Sequence, residues 1–271
     1  MSIEKLNFKS IPYNYCLTGL LGHYSRNEPF YFDENFSKKC KQIQALQEFF
    51  DVVFASGGFI AGSFANIHLR SNLIIMSPPP DSGDIDIFFP NKEALARVLS
   101  YLNSSTKKLD NVFIQTTLNS YSFSLLGKQV QLIDKIFGTE KEVLGSFDFL
   151  NCMVAFNKNE LIFEKRIPYF EGEKILHAVR QTTPARFFKY TNGKGYVPDE
   201  KTLKLFQEAI LEEINKQNLT SSEVLYLTRD ALSSAAQIPL ETLILLVGLI
   251  PQDHSYRFQI DVKFREKLNK I

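Results

Sequence analysis

Hydrophobic and polar positions alternate between two periods along this chain. Helical spacing predicts a helix over Lys39–Phe50. The run Val52-Val53-Phe54-Ala55 reads as a short buried strand, broken by Ser56-Gly57-Gly58, and the mostly apolar stretch from Phe59 to Leu69 reads as a second helix. Gly83–Phe89 reads as a strand. A helix over Lys92–Leu102 follows, with Asn91 as its N-cap. Val112–Thr116, Tyr121–Leu125 and Gln129–Ile133 read as strands, the last two joined by a Gly127-Lys128 turn. Beyond residue 168 the period is helical. Leu203, Phe206, Ile210 and Ile214 mark a helix over Glu200–Lys216, and another runs over Glu223–Ala236. This order predicts an α+β fold: a mixed sheet with flanking helices over residues 39–167, then a mainly helical domain over 168–271. Residues 1–38, aromatic and irregular, are expected to wrap the domain.

Composition narrows the class. The chain has 271 residues, 44% of them hydrophobic, with 24 Phe and no Trp, enough to fill a core. The net charge of +1 carries no global signal for nucleic acid. Cys16, Cys40 and Cys152 have no metal-ligand spacing, and their odd number points to reduced thiols in a cytoplasm. No N-terminal signal is legible, and the longest apolar run, Leu243–Ile250, is shorter than the roughly 20 residues a membrane helix needs. It is expected to be a core helix, and no membrane partner is expected. The histidines His23, His68, His177 and His254 are scattered, without zinc spacing.

Within the strand at Gly83–Phe89 stand Asp84 and Asp86, separated by Ile85. Alternation puts both carboxylates on one face, where they repel each other and are costly to desolvate. A divalent cation between them removes both problems, and hard oxygen ligands suit Mg²⁺ or Mn²⁺. The alternative is a strand start with two solvated acids. A strand, a glycine turn and a helix N-terminus at Ser56, Gly57 and Gly58 would leave backbone N–H groups free for phosphate. A phosphate cradle followed by paired acids is what nucleotide transfer from a triphosphate requires.

These residues resemble the signature of the DNA polymerase β-like nucleotidyltransferase superfamily: an apolar residue, Gly-[Gly/Ser], a helix, then Asp-apolar-[Asp/Glu]-apolar on a strand. The resemblance spans roughly residues 45–165. Two registers fit the glycine element, Gly57-Gly58 and Gly62-Ser63, and the β-like run before the first favours it. The interval from Gly58 to Asp84 is long for the superfamily and holds the proline-rich run Ser77–Ser82, which reads as a surface loop. The Arg-Asp that follows the glycines in CCA-adding enzymes is replaced by Ala61-Gly62. The resemblance implies a third carboxylate on the strand beside Asp84-Ile85-Asp86. Gln129–Ile133 is expected to be that strand, and it offers Gln129 or Gln131. Asp134 stands at its end. Asp148, between Phe147 and Phe149, is the other candidate: a third ligand or acceptor base, or else a helix N-cap or an acid buried in a salt bridge.

Arg180, Arg186, Lys189, Tyr190, Lys194 and Tyr196 form a basic and aromatic cluster at the start of the helical region. Lys189 is a candidate contact to a triphosphate, and Tyr190 or Tyr196 a candidate stacking partner for a base. The alternative is a solvated basic face. The implied activity is NTP- and Mg²⁺-dependent transfer of a nucleoside monophosphate, with release of pyrophosphate, to a hydroxyl of RNA, protein or a small molecule. A nucleotidyltransferase-fold protein that binds without turnover is the alternative.

Overall fold

Leu46, Phe49, Phe50 and Val53 are all buried and recur at three- and four-residue steps, so helical period extends through the Val-Val-Phe-Ala run. In the computed structural model, helix α1 accordingly spans Glu34–Ala55, and the expected strand at Val52–Ala55 is its last turn. The structure describes residues 6–12, 34–66, 69, 84–105, 114–125, 128–167, 174–215, 220–233, 238, 240–250 and 255–269. Cys16, Gly127, the proline-rich run Ser77–Ser82 and three of the four histidines lie outside them.

The chain forms two compact units. One comprises residues 5–147 and 151–169 and contains an eight-stranded sheet. Its strands, in chain order, are β1 (Phe8–Pro12), β2 (Phe59–Ala61), β3 (Ile85–Phe89), β4 (Gln115–Thr116), β5 (Ser120–Leu125), β6 (Lys128–Phe137), β7 (Val154–Phe156) and β8 (Glu160–Glu164). Across the sheet the order is β1-β8-β7-β2-β3-β6-β5-β4. β3 and β6 run parallel; the remaining pairs are antiparallel. Phe59–Ala61, expected to open a helix, is therefore a central strand. It is only three residues long and buried throughout, so it has no alternation to distinguish it from a buried helix.

Helix α2 (Lys92–Ser105) begins where expected, with Asn91 Oδ1 accepting from the Ala94 amide at 2.9 Å. Helix α3 (Glu140–Gly145) starts with a capping box between Thr139 and Glu142. Val143 and Leu144 of α3 form one core with Phe59, Ala61, Phe88, Ala155 and Ile162 of the sheet. The edge strand β1 is tied down by a fully buried carboxylate. Glu164 accepts from the Asn7 amide at 2.6 Å and from Arg166 Nε at 2.9 Å. Replacing Glu164 by Ala leaves these donors without their acceptor. It is expected to cost about 2 kcal/mol, measured by denaturant unfolding, with β1 the first segment to lose amide protection.

The second unit comprises residues 148–150 and those from 170 onward. It holds a two-stranded parallel ribbon of β9 (Ile175–Leu176) and β10 (Val197–Pro198). Its helices are α4 (Pro184–Phe188), α5 (Glu200–Asn215), α6 (Ser221–Ser233), α7 (Leu240–Gly248) and α8 (Arg257–Leu268), with a π-helical turn over Lys189–Gly193. Phe187 stacks on Phe206, with centroids 3.9 Å apart. Among the described residues no helix is long and apolar enough to cross a membrane.

Asp199 caps α5. It accepts from the Thr202 amide at 2.7 Å and pairs with His177 Nδ1 at 2.7 Å. Burial pushes its carboxyl up, but bonds from Thr202 and His177 outweigh it and leave the group below the usual aspartate value. The folded value lies below the unfolded one, so this stabilisation is full above about pH 4 and is lost as pH falls through the folded value. The stability gap between the protein and its Asp199→Asn variant is expected to be constant near neutrality and to close in acid, as read from thermal unfolding across pH.

Candidate active site

Ile85 and Ile87 of β3 are buried, whereas Asp86 between them is half-buried. Alternation aims Asp84, exposed just before the strand, to the same side as Asp86. Cross-strand pairing extends this into a row on one face: Ser10, Ile162, Ala155, Ala61, Asp86, Gln131, Ser122 and Gln115. The row is apolar from Ile162 to Ala61 and polar from Gln131 to Gln115. Asp86 stands at the change. One side of the carboxylate therefore faces the α3-covered core, and the other a strip of neutral hydrogen-bonding groups.

The glycine element lies elsewhere than the local β-like run implies. The Gly58 amide donates to Val53 O at 2.8 Å and the Gly57 amide to Phe54 O at 2.9 Å, closing α1 in a Schellman motif. Gly57 takes φ 81°, which suits its place at that cap. Ser56 is buried in the same cap, its amide bonded to Val52 O. Ser56, Gly57 and Gly58 thus form a helix-to-strand turn, and both glycine amides are occupied by α1 carbonyls, which corrects the expectation of free N–H groups there.

The strand–glycine–helix element falls five residues later, in the second register. β2 ends at Ala61, Gly62 takes φ 92°, and a helical turn runs over residues 63–66. Gly62 sits beside the acid: a Cβ built on it would lie 3.7 Å from Asp86 Oδ2. The turn is anchored at its start by the Gly62 amide on Val154 O at 2.9 Å, and further along by Asn66 Nδ2 on Asn151 O at 2.6 Å. The sequence signal for it was present, since Gly-Ser follows three apolar residues, but the preceding Gly-Gly competes with it.

The expected neighbour of the Asp-Ile-Asp strand is found. β6 runs parallel to β3, with Gln131 in register with Asp86 and Val130 with Ile85. Gln131 is half-buried, and Gln129 is exposed. Asp134 lies further along the same strand. Asp148 belongs to the helical unit. Its Oδ2 accepts from Arg186 Nε at 2.6 Å and from the Thr182 hydroxyl at 2.7 Å. It is a mostly buried acid in a salt bridge to a half-exposed Arg186, one of the roles open from sequence. Lys189 is exposed at the start of the π-helical turn. Tyr190 is buried, packed against Phe149 at 4.9 Å and Tyr196 at 5.8 Å, with Lys194 Nζ 4.9 Å from its ring centroid. That ring is part of the core and does not serve as an open stacking platform.

Among the described residues no group of three or more His, Cys, Asp and Glu side chains gathers as a metal centre. The residues at Asp84 and Asp86 still fit a hard divalent ion: two carboxylates, with Gln131 in register on the neighbouring strand and a turn at Gly62 without a Cβ.

Residues 24–168, more than half of the chain, match the family described as Gad2, Gabija anti-defense 2 family protein. No curated protein matches the chain in sequence. Similar solved structures include the Thermotoga maritima CCA-adding enzyme complexed with tRNA, at 15% identity and TM-score 0.49, covering 97% of this chain and 61% of that one. A CCA-adding enzyme with ATP matches at 16% identity and TM-score 0.46, covering 97% of this chain and 60% of that one. A tRNA nucleotidyltransferase with primer tRNA and an incoming ATP analogue matches at 13% identity and TM-score 0.40, covering 77% and 59%. This chain spans less than two thirds of the length of each.

Proposed function

The chain belongs to the Gabija anti-defense 2 family, and on that premise we propose that it counteracts the Gabija defence as a nucleotidyltransferase of the DNA polymerase β-like superfamily. It moves a nucleoside monophosphate from an NTP to an acceptor hydroxyl and releases pyrophosphate. The acceptor is an RNA end, a protein side chain or a small molecule. The observation that supports this most directly is the adjacency of Gly62 and Asp86 across the β2–β3 pair, with Gln131 on Asp86's other side.

Asp84 and Asp86 are the residues to hold Mg²⁺ or Mn²⁺. A bound divalent ion there supplies charge to phosphate oxygens and lowers the pKa of an acceptor hydroxyl. The chain's own residues do the rest. Gly62, lacking a Cβ, lets a phosphate lie against the backbone beside Asp86. Ala61 and Ala155 of the row, packed in one core with Phe88, keep water from one flank of the carboxylate, which strengthens its pull on a cation. Gln131, half-buried, offers a donor and an acceptor to a bound nucleotide. Lys189 is exposed on the helical unit, where Asp148 fixes Arg186.

One observation favours the second reading, a nucleotide-binding protein without turnover: the neighbour of Asp86 on β6 is the neutral Gln131. Incubation with each radiolabelled NTP and Mg²⁺, with and without cellular RNA and protein, separates the two. Label in an acceptor fraction supports transfer; saturable NTP binding with no labelled product supports the second reading.

A further inference from the structure

We propose that Gln131 is the positioning residue for the acceptor, holding its hydroxyl on the flank of Asp86 away from Gly62. The inference rests on the nucleotidyltransferase reading above and deepens it. Three neighbouring strands define the two flanks, in the order β2-β3-β6. On the β2 side, Ala61 pairs with Asp86, and a Cβ on Gly62 would lie 3.7 Å from Asp86 Oδ2. On the β6 side, Gln131 is in register with Asp86 and half-buried. Residues in register on adjacent strands share a face of the sheet, and the strands stand about 4.8 Å apart. The Gln131 carboxamide therefore reaches a group held at the Asp86 carboxylate, from the side opposite Gly62.

Displacement at phosphorus runs in line, with the attacking and leaving oxygens on opposite sides of the α-phosphorus. With the departing phosphates against Gly62, the acceptor hydroxyl enters on the Gln131 side. A carboxamide suits that place because it carries both an acceptor and a donor. Its oxygen accepts from the acceptor hydroxyl, and its NH₂ donates to an α-phosphate oxygen of the bound nucleotide. One side chain then holds both reactants, and an encounter becomes a fixed approach. The acceptor oxygen forms the new bond to the α-phosphorus. The bond from that phosphorus to the bridging oxygen breaks, and its electron pair leaves on pyrophosphate. The hydroxyl proton passes to water, since a carboxamide orients the hydroxyl and does not take its proton.

The test reads a ratio of products beside NTP affinity. The full chain is incubated with each NTP, labelled at the α-phosphate, with Mg²⁺ and a heat-treated cell extract that supplies RNA, protein and small molecules as acceptors. Label in an acceptor and label in free nucleoside monophosphate, formed by attack of water, are counted in the same tube. Water, at solvent concentration, needs no placement by Gln131. Gln131→Leu is expected to keep NTP affinity within about threefold and to lower the acceptor-to-water ratio at least about tenfold. Gln131→Glu retains an accepting oxygen and is expected to hold the ratio within about threefold of the wild type. Damage to the fold lowers both products together and leaves the ratio unchanged. Gln131→Met is the second apolar variant if leucine does not fold, as read by thermal unfolding. An unchanged ratio in a folded apolar variant overturns the inference, as does a loss of NTP affinity equal to that of Gly62→Ala. Both leave the nucleotidyltransferase reading standing. NTP bound by the wild-type chain with no labelled acceptor overturns the inference together with that reading.

Discussion

Asp86→Ala is expected to remove nucleotidyl transfer while leaving the fold in place. Asp86 is half-buried on a central strand between Ala61 and Gln131, so alanine fits the row without strain. The carboxylate is costly to keep at the edge of an apolar core beside Asp84. The thermal midpoint should therefore change little. Transfer should fall by at least about 100-fold, because a bound metal contributes several kcal/mol of charge stabilisation in the transition state. Asp84→Ala should behave alike, although Asp84 is exposed and stands just before the strand. Acceptor labelling at the wild-type rate in the double variant would remove these residues from the chemistry.

Gly58→Ala is expected to damage the fold, whereas Gly62→Ala damages nucleotide binding. A Cβ on Gly58 would lie 2.8 Å from Val53 Cγ1, 2.9 Å from Val53 O and 3.0 Å from Phe89 Cε1. The carbonyl belongs to the end of α1, and Phe89 is fully buried, so neither can yield freely. Overpacking of this kind costs about 1–3 kcal/mol, or roughly 2–4 °C in midpoint for each kcal/mol in a chain of this size. Gly62 is different. Its nearest foreign atom, Asp86 Oδ2, would be at ordinary contact distance from a Cβ. Alanine there meets only the strain of φ 92°, about 1–2 kcal/mol, and the obstruction of whatever lies against Asp86. Paired thermal unfolding and nucleotide titrations distinguish the two glycines. If Gly58→Ala keeps wild-type stability and loses NTP affinity, the phosphate turn is at Gly57-Gly58 after all.

The two glycine elements show where reading the sequence fails. Val52–Ala55 has strong β propensity, but it continues the buried stripe of Leu46, Phe49, Phe50 and Val53. The helix wins because packing a long apolar face outweighs four residues of local preference. Gly-Gly is then its C-cap, and the next three residues, all buried, become the strand. The adjacent Asp84-Ile85-Asp86 was legible because an acid on either side of a buried apolar residue has a strict period of two.

The sequence by itself determined the α+β class, the helical second half, the Asp-Ile-Asp strand and the strand that would stand next to it. Each of these is written in a local period, a cap or a turn that few neighbours can override. Only the tertiary structure decided which glycine faces Asp86, that Gln131 rather than Gln129 is in register with it, and that Asp148 is held by Arg186 and Thr182. Those facts depend on strand register and on contacts between residues far apart in the chain. A shift of one residue in register exchanges the two faces of a strand, and no local pattern specifies it.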